Sequence, residues 1–185
     1  MSIKSEIRIS RYLAKAGLAS RREAEKLILD GRVTLNGESV IEPWRSCNKE
    51  DVLKLDGVIV SQVIPTVIYQ LNKPKGYLST SKDALGRRTI FDLIESKLEH
   101  LMIIGRLDYN SEGLMILTNN GDLKRYLELP KNKFERTYRV KIKGNLTSRN
   151  LNEIERGVSL NGLNYKPIEV RFLQSNRSYS WIEMV

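Results

Sequence analysis

The chain has 185 residues, 31 Lys and Arg against 22 Asp and Glu, a net charge of +9 and 41% hydrophobic residues. That length holds one medium domain and one small one, and the composition is that of a packed core rather than a disordered tail. The cationic surplus favours a polyanionic partner, because clustered cations gain free energy by releasing counterions from phosphates.

From the N-terminus, Ile9, Tyr12, Leu13 and Ala16 recur at helical spacing, and Gly17 follows where the helix ends. Ser20-Arg21-Arg22-Glu23 reads as a capping box that opens a second helix, with Ala24, Leu27 and Ile28 as its apolar stripe and Gly31 as its stop. Val33-Thr34-Leu35 alternates like a strand, and Asn36-Gly37 tolerates the positive φ of a tight hairpin turn. The other faces of the two helices carry Arg8, Arg11, Lys15, Arg21, Arg22, Lys26 and Arg32. Such a face is either a solvated cationic surface or a contact for RNA. Residues 1–35 hold eight Lys and Arg against four Asp and Glu, which favours the second.

The run from Ile9-Ser10-Arg11-Tyr12-Leu13 through Gly17-Leu18-Ala19-Ser20-Arg21-Arg22-Glu23-Ala24 to Gly31-Arg32-Val33-Thr34-Leu35-Asn36-Gly37 resembles the αL RNA-binding domain. A small-subunit ribosomal protein, some tRNA synthetases and several RNA-modifying enzymes share that module. The resemblance implies structured RNA as a partner, with Arg8, Arg11, Ser20, Arg21, Arg22, Lys26 and Arg32 facing it. We place the module at residues 1–58. Pro65 suits neither a helix nor a central strand, so a linker is expected at 59–66 and a second domain at 67–185.

Val67 to Leu71 opens that second domain as a strand. Asn72-Lys73-Pro74-Lys75-Gly76 follows as a basic turn, either a surface corner or a phosphate contact. Helices are expected near 90–97, 121–128 and 147–156. His100 is the only histidine and Cys47 the only cysteine. Neither a multi-histidine nor a cysteine-cluster metal site is possible, an intrachain disulfide is excluded, and no phosphate-cradling Gly-rich loop ending in Lys-Ser or Lys-Thr occurs. The lone thiol suits a reducing cytosol. No apolar run approaches the ~20 residues of a membrane helix, and residues 1–11 lack the apolar core of a secretory signal. A cytoplasmic monomer is the expectation.

The segment from Ile103-Ile104-Gly105-Arg106-Leu107-Asp108 to Ser111-Glu112-Gly113-Leu114 places a polar loop between two apolar, strand-like runs, with glycine on both sides. Loops held by rigid strands are where catalytic groups concentrate. Taken alone, Arg106 beside Asp108 is more often a structural ion pair that favours the ionised carboxylate. The whole string, however, resembles the signature loop of the pseudouridine synthases of small- and large-subunit rRNA, the RsuA/RluB/RluE/RluF family. Leu71 to Gly76, Asp83 to Asp92, Thr118 to Leu123 and Glu135-Arg136-Thr137-Tyr138-Arg139-Val140 match that family in the same order.

The resemblance implies an α+β fold, with the small αL module in front of a larger domain built on a mostly antiparallel sheet. It implies an isomerase that needs no cofactor and no metal. Asp108 would be the nucleophile and Arg106 would stand beside the extruded nucleotide. Tyr138 would stack on the uracil, although on spacing alone it reads as a core tyrosine of an alternating strand. Lys73, Lys75, Arg87 and Arg88 would meet phosphates of ribosomal RNA. In that family the strand matched by Ser178 to Val185 leads into a further basic segment. This chain stops at Val185, so a missing C-terminal motif is expected, with a final strand left as an uncovered edge. The competing reading is an RNA-binding remnant without turnover.

Overall fold

The computed structural model describes residues 6–61, 64–95, 98 and 101–185. The chain forms two compact units, Met1–Asn132 and Lys133–Val185. Within the first unit, a short strand β1 (Ile7–Arg8) leads into α1 (Ile9–Lys15) and α2 (Arg21–Leu29). Gly17 takes φ +70°, which lets the chain leave α1 at no steric cost. Both halves of the Ser20–Glu23 capping box form: Ser20 Oγ accepts from the Glu23 amide at 3.3 Å, and the Ser20 amide donates to Glu23 Oε2 at 2.8 Å.

Next come β2 (Val33–Leu35), β3 (Glu38–Val40), β4 (Ser46–Cys47), β5 (Leu53–Leu55) and β6 (Val58–Ile59). Four of these form an antiparallel sheet in the order β3-β2-β5-β6, while β4 pairs with β1. The β2–β3 turn is Asn36-Gly37, with φ +53° and +92°, as its sequence predicts. A second turn of the same kind, Asp56-Gly57, joins β5 to β6 and shortens the expected linker at its N-terminal end. Ile9, Leu13, Ile28 and Val33 are fully buried in one core that reaches as far as Val60. Each such side chain contributes about 1.5–3 kcal/mol by leaving water.

A separate core in the same unit gathers Ile90, Leu101, Met115 and Leu117. Its sheet, in the order β7-β9-β8, is antiparallel and comprises β7 (Ile68–Lys73), β8 (Met102–Ile104) and β9 (Gly113–Thr118). The helix α3 (Gly121–Glu128) forms as expected, capped by Asn120, whose Oδ1 accepts from the amides of Asp122 and Leu123 at 2.9 and 3.1 Å. The helix expected near 90–97 is a short 3-10 turn over Ile90–Leu93, and residues 96–97 lie outside the described residues, as does His100.

The second unit contains β10 (Tyr138–Lys143), α4 (Ser148–Arg156), a small hairpin of β11 (Ser159–Leu160) and β12 (Leu163–Asn164), then β13 (Val170–Ser175) and β14 (Tyr179–Met184). One expectation is overturned here. β14 is the central strand of the order β10-β14-β13, hydrogen-bonded on both sides, and not an open edge. Ile182 is 1% exposed, and the Lys141 ammonium lies over the rings of Tyr179 and Trp181, at 4.0 and 5.8 Å from their centroids. The neighbouring strand β10 arrives from 36 to 46 residues upstream, as the register from Lys143–Tyr179 to Tyr138–Met184 shows. Among the described residues, no helix is long and apolar enough to cross a membrane.

Candidate active site

The loop between β8 and β9 is held through its backbone. Lys73, the last residue of β7, is fully buried and uses all three ammonium protons on carbonyls. It donates to Ser111 O at 2.7 Å, to Asp108 O at 2.9 Å and to Pro74 O at 3.3 Å. Ser79 Oγ donates to Leu107 O at 2.6 Å and accepts from Leu107 N at 3.1 Å. The Gly76 amide donates to Tyr109 O at 2.8 Å, and the Ser111 amide to Asp108 O at 3.0 Å. At the loop entrance Gly105 takes φ +71°, and its amide donates to Glu128 Oε1 of α3 at 2.8 Å. Lys124 Nζ, one turn earlier on α3, donates to Ile103 O at 2.6 Å.

With the main chain fixed in this way, the side chains of Arg106, Asp108, Tyr109 and Asn110 stand exposed. Burial pushes the Lys73 ammonium below the ordinary lysine range, and the Asp108 carboxylate opposes that shift. Arg106, expected as the ion-pair partner of Asp108, makes no ion pair within 4.0 Å among the described residues. Lys73 is also a correction in its own right: a fully buried ammonium with three protein acceptors is not a phosphate contact. Three further loop anchors, Ser79, Lys124 and Glu128, were not singled out from the sequence, which carries no local signal for bonds to a loop more than twenty residues away.

The other expected contacts divide by what they touch. Arg87 holds Asp83 through Nη2 at 2.8 Å and Nε at 3.1 Å. That guanidinium, joined by the Arg87 and Leu85 amides, lowers the Asp83 carboxyl to about 2. Arg32 grips Asp56 in the same bidentate manner at 2.8 and 2.6 Å, and Lys75 reaches Glu112 at 3.4 Å. Arg11 pairs with Asp122. Arg21 stands 3.9 Å from Glu25, too far for a strong pair. Arg8, Arg22, Lys26 and Arg88 are exposed and make no ion pair within 4.0 Å among the described residues. Arg88 instead lies over the Tyr77 ring, 5.9 Å from its centroid. Tyr138 opens β10 in the second unit with its side chain 44% exposed. Among the described residues, no group of three or more His, Cys, Asp or Glu is placed to hold a metal ion.

The two stretches of the chain, the small basic helical module and the sheet-bearing part that carries this loop, have counterparts among known proteins. Residues 67–183 match the family model of RNA pseudouridylate synthase, and residues 7–52 match that of the S4 domain. An uncharacterized RNA pseudouridine synthase of Rickettsia felis is 36% identical over 178 residues, covering 96% of this chain and 77% of the relative. Ribosomal large subunit pseudouridine synthase B of Bacillus subtilis is 35% identical over 170 residues, 92% of this chain and 69% of its own. The crystal structure of a pseudouridylate synthase superposes with a TM-score of 0.59 at 25% identity, covering 95% of this chain and 76% of that one. The chain belongs to the RNA pseudouridine synthases, in the RsuA-type branch that carries an S4 domain. It is thereby a member of a family of isomerases acting on RNA, with the expected α+β fold.

Proposed function

We propose that the chain converts a specific uridine of ribosomal RNA to pseudouridine, with Asp108 as the nucleophile. The observation that carries this reading is the separation of duties in the loop. Lys73 and Ser79 hold its carbonyls and amides, while the Asp108 carboxylate is left exposed and free to react. A ribosomal target agrees with the name of the Bacillus subtilis relative.

In this reading the carboxylate attacks the target uridine, the bond from the sugar to N1 breaks, and the detached base turns. A new bond forms from the sugar to C5, C5 loses its proton and N1 gains one. The composition of the RNA is unchanged, Asp108 is restored, and neither a cofactor nor a metal enters. The base must first leave its stack. Arg106 occupies the vacated space or holds a phosphate there, and Tyr138 offers its exposed ring to the uracil, a contact worth ~1–3 kcal/mol. Arg8, Arg21, Arg22, Lys26, Lys75 and Arg88 are assigned to phosphates. The RNA-binding module is assigned to the N-terminal stretch through Val60, where its core ends, followed by a short linker up to residue 66 and the catalytic domain at 67–185, acting as a cytoplasmic monomer.

The test is tritium release from ribosomal RNA labelled at C5 of uridine, by the purified chain and by Asp108→Asn. Release by the parent and none by the variant is expected. Release by both would overturn the assignment of Asp108. RNA binding without release by the parent would favour the remnant reading.

A further inference from the structure

Asp122 lies in the first turn of α3 and receives two cations from α1. Its Oδ1 accepts from the Arg11 guanidinium, and its Oδ2 lies 2.9 Å from Lys15 Nζ. α1 belongs to the stretch that matches the S4 domain, and α3 to the stretch that matches the synthase. The segment between them is tied to the same corner. Asn119 Nδ2 donates to Pro65 O at 2.9 Å, Asn120 Nδ2 to Thr66 Oγ1 at 2.9 Å, and Thr118 Oγ1 to Val67 O at 2.7 Å. Further along, α3 holds the entrance of the Asp108 loop through Lys124, about half a turn on, and through Glu128, nearly two turns on. One short helix therefore grips the RNA-binding module at one end and the catalytic loop at the other, about 9 Å apart at 1.5 Å per residue.

We infer that Asp122 is a positioning residue, an electrostatic latch that fixes the RNA-binding module relative to the Asp108 loop and removes Arg11 and Lys15 from the set of phosphate contacts. The inference rests on the reading that RNA held by the module is presented to Asp108. The carboxyl of Asp122 lies below its ordinary range, chiefly through the Lys15 hydrogen bond, so it is ionised for this task at neutral pH. The three side chains are about one-third to one-half exposed, so salt weakens the latch without abolishing the fold.

The test uses the full chain with spin labels at two exposed strand positions, Glu38→Cys on β3 and Gln70→Cys on β7. Cys47 is 2% exposed and does not compete for label. The distance distribution between the labels is expected to be narrow in the parent and in Asp122→Glu. In Asp122→Asn it broadens, with a roughly two- to fivefold larger undocked population, the span an exposed ion pair commands. Asn120 still caps α3 in both variants, so the helix itself is not at stake. At about 1 M salt, where the Debye length is about 3 Å, the parent should broaden and Asp122→Asn should not change further. Equal widths for the parent and Asp122→Asn at low salt, or an Asp122→Glu as broad as Asp122→Asn, would overturn the inference.

A second arm measures the salt dependence of RNA binding by Arg11→Gln/Lys15→Gln, which is expected to keep the parent slope. A slope lowered by ~0.7 for each residue would return both to the phosphate contacts and overturn the inference. Neither arm reads turnover, so failure of the proposed reaction would leave both interpretable.

Discussion

Lys73 and Asp108 meet twice: the lysine ammonium donates to the aspartate's own carbonyl at 2.9 Å, and the aspartate's carboxylate acts on the same ammonium through space. One buried cation thus helps hold the main chain of the loop and feels the charge of its exposed carboxylate.

Lys73→Met keeps the length of the side chain and removes its three donors, leaving the carbonyls of Pro74, Asp108 and Ser111 short of partners at a buried site. Stability to urea should fall by about 2–4 kcal/mol, the cost of leaving buried acceptors unpaired. Tritium release should disappear with it. A variant as stable as the parent would show that the buried ammonium is not what holds the loop.

Asp108→Asn should behave in the opposite way. Its carboxylate is exposed and its carbonyl, which the substitution keeps, makes the structural bonds. Urea midpoints should agree within about 0.5 kcal/mol while turnover is lost. The comparison of the two variants separates loop architecture from chemistry.

Ser20→Ala removes one half of the capping box. We expect a loss of about 1 kcal/mol, seen as a lower melting temperature, with an unchanged salt slope for RNA binding. Arg22→Ala and Lys26→Ala should do the reverse. Stability should stay within about 0.5 kcal/mol, and each lost contact should reduce the log–log slope by ~0.7 if the RNA bound there is single-stranded.

The Asp83–Arg87 pair makes stability depend on acid. Asp83 titrates at about 2 when folded against an ordinary 3.8, so the folded chain binds that proton less readily than the unfolded one. The contribution is fully present above pH ~4 and is lost as pH falls towards ~2. Carbon-detected titration of the Asp83 carboxyl should give a midpoint near 2, and Arg87→Gln should move it up towards the ordinary value. An unmoved midpoint would show that Arg87 is not the cause.

What was legible in the sequence is what short-range chemistry decides. The Ser20–Glu23 box, the stop at Gly17 and the Asn36-Gly37 turn each depend on residues within about four positions of one another, and all formed as read. Asp56-Gly57 carries the same turn chemistry, but the strand beyond it, β6, is only two residues long and gives no alternation to mark a hairpin. The burial of Lys73 was missed because its partners lie up to 38 residues away. A signal was present: Leu71 and Lys73 share one face of β7, and Leu71 packs on the core, so a lysine stood at an inward position. The place of β14 escaped for a related reason. Alternation identifies a strand, but its neighbours are chosen by topology, and β10 comes from the far side of α4.

Because the shape of the Gly105–Glu112 loop is written in main-chain bonds, the residue at position 108 behaves as an interchangeable fitting on a fixed mount. The mount is indifferent to what it carries. A cysteine there would be presented at the same spot, with the buried Lys73 favouring its thiolate, and would take up a thiol-reactive uridine analogue where Cys47, sealed in the core, would not. The chain thus has an address at which chemistry foreign to the fold can be installed without rebuilding it.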